Sequence, residues 1–411
     1  SPFGRNYDSR LSDIAERIPD VDVEHALREG RTDLRHLPFV TIDPKSAKDF
    51  DDAVCLIEEK GKRTLWVAIA DVAHYIEPET LLDEEAKARA TSVYLPHAVL
   101  PMLPSRLSDN LCSLRAKVPR LAMTVSMEIE NDCTIGNVAA FESIIEVQEN
   151  LSYEDALDNP KFQNMMDLAE ELRRNEIRLN LNSAELRPRV HEDEITVNVK
   201  WPNKATEMIE TFMVATNNSI GILLGEKNAP LPWRCHAPPD APEVEELNAK
   251  FKNMGINIEL PMPSVKKFGQ SEEAELASML GDWANSGNIE ISGLENSNDQ
   301  DDVAQYLKNV LDPDARKDIL ISLKEAQQKA NDLKSATRRV VDHGLFYLLQ
   351  RAIYSPENLG HFGLNLNAYV HFTSPIRRYA DLVVHRQLKS FLNEEDWVHS
   401  EKEITEISEQ C

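Results

Sequence analysis

The order of hydrophobic and polar positions divides this chain into a strand-rich first half and a helix-rich second half. Short apolar runs at 53–57 and 65–70 flank the polar turn EEKGKR, which predicts a buried hairpin, and longer runs at 122–129 and 135–146 predict two further strands. Apolar residues recurring every three or four positions predict helices at 81–90, 155–174, 205–224, 243–253, 272–284, 314–350 and 375–391. Because strands and helices do not alternate, the pattern favours an α+β fold.

Length and composition indicate one large unit. With 411 residues, 42% of them hydrophobic, the chain can bury a substantial core and has the length of roughly two or three average domains. No linker separates two cores, so we predict a single domain at 39–393, after a charged leader at 1–38 and before a helical segment at 394–411. Because the chain starts without methionine and stops inside a helical pattern, we expect that last segment to be truncated.

Composition also narrows the cellular setting. No apolar run reaches the roughly 18 residues that a membrane helix needs, and the first residues lack the basic-then-apolar pattern of a secretion signal. Five cysteines are scattered without a CxxC pair, which is typical of a reducing compartment. The sequence therefore predicts a cytoplasmic protein with no membrane association, and it gives no indication of a protein partner.

The net charge is the least expected property of the chain. Its 70 acidic and 45 basic residues leave a net charge of −25, which repels nucleic acid at long range. Two local stretches, 102–120 and 371–390, nevertheless carry four basic residues against one aspartate each. A role in nucleic-acid binding would therefore depend on these stretches, while the acidic excess elsewhere is most simply a solvated surface.

Four aspartates fall within ten residues, in the stretch TIDPKSAKDFDDAV: Asp43, Asp49, Asp51 and Asp52. Carboxylates this close repel one another, and each would raise the pKa of its neighbours unless cations hold them ionised. A set of ligands made only of oxygen atoms favours Mg²⁺, Mn²⁺ or Ca²⁺. An EF-hand is excluded because Val54 and Lys60 stand where that loop needs glycine and glutamate. Metal-dependent phosphoryl chemistry is one interpretation and a solvated acidic loop is the other. The cluster alone does not decide between them.

A second motif, HFTSPIRRYADLVVHRQL, predicts a helix with an unusual first turn. Ser374 is suited to the N-cap and Pro375 to the first helical position. Arg377 and Arg378 would then lie in the first turn, where positive charge opposes the helix dipole at a cost of about 0.3 to 1 kcal/mol each. An anion such as a phosphate would offset that cost, because free amide groups and two guanidinium groups would face it. The alternative is that Arg377 forms a structural pair with Asp381 or with the aspartate cluster.

Together the two motifs resemble those of the ribonuclease II / ribonuclease R family of RNB-domain exoribonucleases. Further segments fall in the family's order, among them VAIADVAHYI, TSVYLPHAVLPMLPSRLSDNLCSL, LSYEDA, MIETFMVATN and LGHFGLNLNAYVHF. The resemblance covers residues 34–411 and implies an RNB-type catalytic domain with a mixed or antiparallel β-sheet core surrounded by helices. The activity it implies is processive hydrolysis of single-stranded RNA from the 3′ end to nucleoside 5′-monophosphates, with Mg²⁺ or Mn²⁺ as cofactor.

The resemblance also implies roles for individual residues. The aspartates at positions 43, 49, 51 and 52 would hold metal ions, with Asp51 the most sensitive for catalysis. Arg377 would stabilise the charge on the scissile phosphate, and Arg378 would contact the RNA beside it. Tyr94 would stack on terminal bases in a sequence-tolerant way. The remaining RNA contacts would be Tyr153 and Glu210, which match positions linked to ribose preference.

Some of these residues have simpler explanations. Tyr153 follows a predicted strand and would also fit a core position, whereas Glu210 lies on an otherwise apolar helix and is harder to explain as a surface residue. His74, His361 and His371 are expected to form structural hydrogen bonds, because water activated by a metal removes the need for an imidazole base.

Two departures from the family pattern bear on how RNA would be held. Leu181 stands at the approximate position where many relatives have a phenylalanine that clamps terminal bases together with the tyrosine. The resemblance also implies cold-shock and S1 barrels on either side of the domain; we expect neither within these 411 residues, and therefore weaker and more salt-sensitive RNA binding by this chain. A catalytically idle RNB fold that binds RNA or a partner, and a phosphohydrolase for small esters, remain the alternative functions.

Overall fold

The computed structural model describes residues 7–95, 98–174, 176–177, 185–191, 194–239, 241–260 and 313–411. The predicted helix at 272–284 and Leu181 lie outside the described residues. The strands are β1 Thr32–Asp33, β2 Val40–Asp43, β3 Asp52–Glu59, β4 Lys62–Ala70, β5 Val93–Leu95, β6 Ala98–Leu100, β7 Pro119–Ile129, β8 Ile135–Glu146, β9 Glu149–Ser152, β10 Glu185–His191, β11 Glu194–Lys200, β12 Trp233–Cys235 and β13 Ile353–Ser355.

The helices of the described residues are α1 Ser9–Arg17, α2 Val23–Arg28, α3 Val72–Tyr75, α4 Leu81–Arg89, α5 Tyr153–Leu157, α6 Gln163–Arg174, α7 Lys204–Gly225, α8 Ala241–Asn253, α9 Pro313–Asn331, α10 Ser335–Leu348, α11 Tyr379–Leu392 and α12 Glu401–Gln410. Single turns of tighter or wider helix lie at Leu107–Leu111, Pro160–Phe162 and Phe362–Leu364. None of the described helices is both long and apolar enough to cross a membrane.

A seven-stranded sheet in the order β1-β8-β7-β4-β3-β2-β9 forms the centre of the molecule. The β1–β8 and β2–β9 pairs are parallel and the other neighbours are antiparallel, so the sheet is mixed. The predicted hairpin is present as β3 and β4. Its two turn residues, Lys60 and Gly61, have φ angles of 51° and 79°, which is the left-handed pair that a tight two-residue hairpin turn requires. The α+β fold class is confirmed.

Hydrophobic residues cover both faces of this sheet. On one face, Val54 and Val67 pack with residues of α6 and α7, and on the other, Ala53 and Ala68 pack with residues of α4 and α12. Helix α11 contributes side chains to both cores, and eleven of its fourteen residues are buried. A helix that is buried on nearly all sides is a rigid support, and α11 follows directly after the second sequence motif.

Three predicted helices have different bounds in the structure. The segment predicted as one helix at 155–174 is divided at Pro160, which has no N–H for the helix ladder. The segment predicted at 314–350 is divided between α9 and α10, where Asn331 and Asp332 are weak helix formers. The helix predicted from 375 begins only at Tyr379, so Ser374 is not its N-cap and Pro375 is not its first residue.

Candidate active site

The aspartate cluster lies where two neighbouring strands meet the same edge of the sheet. Asp43 ends β2 and Asp52 begins β3, and the antiparallel pairing of Val40 with Val54 brings these two strand ends together. Asp51 is buried directly before β3, and its carbonyl accepts a hydrogen bond from the N–H of Ala70 at the end of β4. The predicted β3–β4 hairpin therefore places Asp52 by backbone pairing, and the pairing of β2 with β3 places Asp43 beside it.

The second motif meets this cluster across the fold. The backbone N–H of Ile376 donates to Oδ1 of Asp51 at 2.9 Å, although the two residues are 325 positions apart. Nε of Arg377 lies 4.0 Å from Oδ2 of the same carboxylate, and Nη2 of Arg377 donates to Oγ of Ser374 at 3.0 Å. The Arg377 side chain remains 41% exposed. The two motifs therefore form one site, in which Arg377 is placed beside Asp51 and is still open to a ligand.

The predicted first turn of the helix is in fact a separate turn, and this corrects the dipole argument. The carbonyl of Ser374 accepts from the N–H groups of both Arg377 and Arg378, which closes a turn before α11 starts. The amide of Ile376, expected to be free for an anion, is used by Asp51. The first turn of α11 instead contains an acid, Asp381, as a helix N-terminus normally prefers.

The two arginines have different partners. Arg378 donates from Nε and Nη2 to both oxygens of Asp381, each at 2.7 Å, and Asp381 also accepts from the N–H of Ser374 at 2.7 Å. Asp381 is fully buried, and Arg378 holds the pKa of this carboxyl below its ordinary value despite the burial. The pair with Asp381 that was considered for Arg377 is therefore made by Arg378, whereas the pair of Arg377 with the aspartate cluster is present as its 4.0 Å contact with Asp51. Contact of Arg378 with RNA stays a prediction.

The carboxylates of the cluster oppose one another's ionisation. Burial, followed by the charges of the neighbouring aspartates, raises the pKa of Asp43 to about 9. Burial raises the pKa of Asp52 to about 6, against the opposing charges of Arg377 and Arg378. Burial also raises the pKa of Asp51 well above its ordinary value, although Arg377 and the Ile376 N–H act in the other direction. With its carboxylates ionised, the site would therefore hold more negative charge than its own residues neutralise.

This imbalance provides a test of whether a cation fits. Among the residues that the structure describes, no three possible ligands are arranged closely enough to hold an ion. The Oδ2 atom of Asp43 is nevertheless buried and accepts no hydrogen bond within the described part of the chain. A buried oxygen of this kind, coupled to other carboxylates, is the electrostatic environment that a hard cation satisfies. The chemistry of these oxygen donors therefore fits Mg²⁺ or Mn²⁺, although the described side chains are not yet arranged as a closed set of ligands.

Tyr94 reaches the cluster from the β5–β6 hairpin. Its hydroxyl donates to Oδ2 of Asp49 at 2.9 Å, while the residue as a whole is 54% exposed. The base of this hairpin is bound to the turn of the second motif, because Arg377 O accepts from both Ser92 N and Thr91 Oγ1 at 2.9 Å. The sequence contained no signal for these contacts, or for the Ile376 amide, since backbone donors carry no residue-specific mark.

The other predicted RNA contacts lie on adjoining elements. Tyr153 begins α5 and directly follows Ser152, which pairs with Asp43 in the parallel β2–β9 ladder, so it stands at the same sheet edge and is half-buried. Glu210 is an exposed residue of α7, a helix that packs against α5. The sequence made Glu210 hard to explain as a surface residue, but in the structure its side chain is exposed. The ribose roles of both residues stay predictions.

The histidines near the motifs make structural hydrogen bonds, as predicted. Nδ1 of His361 accepts from the N–H of Leu364, and Nδ1 of His371 lies 2.7 Å from the hydroxyl of Tyr354. Burial lowers the pKa of both His361 and His371, to about 3 for His371, so neither ring is charged near neutral pH. They are therefore poorly suited to donate a proton in a reaction.

Known proteins are similar to this chain over most of its length. A sequence profile of the family described as RNB domain matches residues 31–394. Ribonuclease R of Thermotoga maritima is 32% identical over 410 residues, covering 93% of this chain and 50% of that protein. Ribonuclease R of Escherichia coli is 30% identical and is matched over 46% of its length. The chain thus spans about half the length of these relatives.

Solved structures show the same fold. Mycoplasma genitalium RNase R in complex with ribose methylated single-stranded RNA has a TM-score of 0.78 at 25% identity, covering 98% of this chain and 58% of that one. Yeast Ssd1, described as a pseudonuclease, has a TM-score of 0.67 at 19% identity over 96% of this chain and 44% of its own, and shares the fold alone. From the profile match over most of its length, the chain belongs to the RNB-domain family.

Proposed function

We propose that this protein is a metal-dependent 3′–5′ exoribonuclease that hydrolyses single-stranded RNA to nucleoside 5′-monophosphates. The observation that carries the proposal is the meeting of Asp51 with the turn at 374–378. One oxygen of this buried carboxylate is held by the Ile376 amide, and the other faces Arg377 at 4.0 Å. A paired acid and arginine at the edge of an under-neutralised carboxylate cluster suit binding and cleavage of a phosphodiester.

Each group at the site has a distinct task in this proposal. Asp43, Asp49, Asp51 and Asp52 would hold Mg²⁺ or Mn²⁺, which when bound supplies neutralisation of the developing charge and an activated water. Arg377 holds a non-bridging oxygen of the scissile phosphate, where its positive charge is worth most as negative charge develops. Arg378 keeps the turn in place through Asp381, and its charge lies close enough to lower the pKa of Asp52.

The RNA is held mainly by contacts that do not read its sequence. The Tyr94 ring offers a face on which the terminal base stacks. Tyr153 and Glu210 contact the ribose near the cleaved bond, where a 2′-hydroxyl can be recognised by hydrogen bonding. If these contacts persist while each mononucleotide leaves, the enzyme cleaves the same RNA strand repeatedly without releasing it, which is processive action.

The test is a time course on a 5′-labelled single-stranded RNA beside the DNA of the same sequence, with Mg²⁺ and with Mn²⁺. We expect the labelled RNA to shorten from its 3′ end to a short product that keeps the label, with unlabelled mononucleotides released, and little digestion of the DNA. Unlabelled RNA added in excess after the start should leave digestion of already bound strands unchanged if the action is processive. Asp51→Asn should bind RNA as the wild type does and release mononucleotides at least about 10²-fold more slowly.

Two outcomes would contradict the proposal. Unchanged turnover in Asp51→Asn would show that the cluster does not carry the reaction. RNA binding by the wild type without release of mononucleotides, in either metal, would instead support a catalytically idle binding module.

A further inference from the structure

The hydroxyl of Tyr94 has a partner that base stacking does not explain. Stacking uses the faces of the ring, whereas the hydroxyl at its edge donates to Oδ2 of Asp49 at 2.9 Å. This bond uses one oxygen of a predicted metal ligand and leaves the other, Oδ1, for a cation. Since a phenylalanine ring offers the same faces, the hydroxyl must be accounted for separately.

The hairpin holds this hydroxyl in place through a frame of hydrogen bonds. The N–H of Ser92 and the hydroxyl of Thr91 both donate to the carbonyl of Arg377, each at 2.9 Å. Just after β6, the N–H of Met102 donates to Oγ of Ser92 at 2.8 Å. The β5–β6 hairpin is therefore joined to the turn at 374–378 through Thr91 and Ser92, while Tyr94 extends from the same hairpin to Asp49. The bond to Asp49 is set by this frame, although the ring itself is half-exposed.

We propose that Tyr94 is a positioning residue for the metal site, and that its hydroxyl orients Asp49 as a cation ligand independently of the contact between its ring and RNA. This inference rests on the proposed function, which makes Asp49 a metal ligand. Asp49 lies in the loop between β2 and β3, so strand pairing does not hold it as it holds Asp52. Hydrogen bonds to ligating carboxylates fix their orientation, and losing one typically weakens metal binding by about 10-fold to 100-fold.

Removing the hydroxyl and the ring separately tests this inference. Tyr94→Phe keeps the stacking face and loses the hydroxyl, while Tyr94→Ala loses both. Binding of Mn²⁺ alone, without RNA, is measured by the loss of the free-ion electron paramagnetic resonance signal, and RNA affinity is measured by fluorescence anisotropy in EDTA. Tyr7→Phe is the matched control, because it removes a tyrosine hydroxyl that donates to a backbone carbonyl, that of Pro101, instead of a carboxylate.

The expected pattern separates the two roles. Tyr94→Phe should bind Mn²⁺ about tenfold more weakly and RNA as the wild type does. Tyr94→Ala should lose affinity for both, and Tyr7→Phe should keep both. Wild-type Mn²⁺ affinity in Tyr94→Phe, with mononucleotide release by the wild-type enzyme, would overturn the positioning role and leave the proposed function intact. Failure of the wild type to bind Mn²⁺ and to release mononucleotides would overturn both.

Discussion

Two buried acids on the same hairpin differ in how their charge is balanced. Asp51 lies directly before β3, and Asp71 directly after β4. Asp71 accepts from Arg31 at 2.7 Å and from Lys389 at 2.8 Å. Asp51 has one backbone amide and, at 4.0 Å, the nearest atom of Arg377. Neighbouring positions of one sheet edge therefore hold a neutralised carboxylate and one that is not.

The pKa values of the two acids change in opposite directions for this reason. Burial raises the pKa of a carboxyl in both places. At Asp71 the charges of Lys389 and Arg31 outweigh the burial and lower the pKa below its ordinary value. At Asp51 burial prevails and the pKa rises. The fold thus surrounds Asp71 with cations and gives Asp51 only one, at a distance, which under the proposed function is where a bound metal ion would bring the missing charge.

The largest loss of stability is expected from removing the carboxylate of Asp71, whose charge is neutralised by Arg31 and Lys389. Asp71→Asn leaves the buried Arg31 guanidinium and the Lys389 ammonium with only the carboxylate of Glu142, 3.1 Å from each. Breaking a buried ion pair from one side typically lowers the free energy of unfolding by about 3 to 5 kcal/mol. Urea unfolding followed by circular dichroism measures the loss.

The matched control for Asp71→Asn is Asp33→Asn, which removes the carboxylate of a much more exposed pair with Arg35. A pair of that exposure contributes at most about 1 kcal/mol. Equal destabilisation by the two variants would mean that burial does not distinguish the two ion pairs.

A smaller loss is expected at the turn that carries Arg377. Asp381→Asn can keep the bond from the Ser374 amide, but it removes the charged partner of Arg378. Hydrogen bonds to charged groups contribute about 1.5 to 3 kcal/mol each, so we expect a loss of about 2 kcal/mol in urea unfolding. Mononucleotide release should also slow, because the turn positions Arg377 beside Asp51.

The control for this second variant is Asp342→Asn, whose carboxylate pairs with Arg338 on the exposed side of α10. It should change neither the unfolding free energy by more than about 0.5 kcal/mol nor the rate of release. A slower rate in both variants would indicate a general effect of charge and not a role of the turn.

How far the sequence predicted these features depends on how local their causes are. The β3–β4 hairpin, β7 and β8 were predicted from apolar runs and, for the hairpin, from its polar turn. The predicted start of α11 was wrong because Asp51, 325 positions away, uses the Ile376 amide and so favours a separate turn before the helix. No local pattern contains that contact, although the i,i+3 pair of Arg378 with Asp381 is local.

The same reasoning explains the elements that the sequence did not predict. The parallel β2–β9 pair joins segments more than a hundred residues apart, and β5 and β6 are only three residues each. The ion network of Asp71 also went unnoticed, because Arg31 lies in the stretch interpreted as a leader. That residue is buried in the structure, so the leader takes part in the charge balance of the core.

Acid should reduce the contribution of Asp71 to the free energy of unfolding in a defined pH range. Because the pKa of Asp71 is lower in the folded state than its unfolded value near 3.9, its stabilisation is present above that value and is lost as the pH falls below it. We expect a slope of about 1.4 kcal/mol per pH unit from this one group. The slope is measured as the difference between wild type and Asp71→Asn in urea unfolding at several pH values below about 4. A constant difference would contradict the assignment.

The smallest change in stability, and the one that separates the two acids most clearly, is expected from Asp51→Asn without added metal. The amide oxygen can still accept from Ile376, and the substitution removes negative charge from a cluster that has too much of it. The free energy of unfolding should therefore stay the same or rise by up to about 1 kcal/mol, opposite in sign to the effect of Asp71→Asn. Saturating Mn²⁺ at 100 times its dissociation constant should then stabilise the wild type by about 2.7 kcal/mol and the variant by much less. A large loss of stability in metal-free Asp51→Asn would mean that this carboxylate is a structural partner of Arg377. Removing a buried carboxylate lowers the free energy of unfolding strongly only where a cation of the protein already neutralises it.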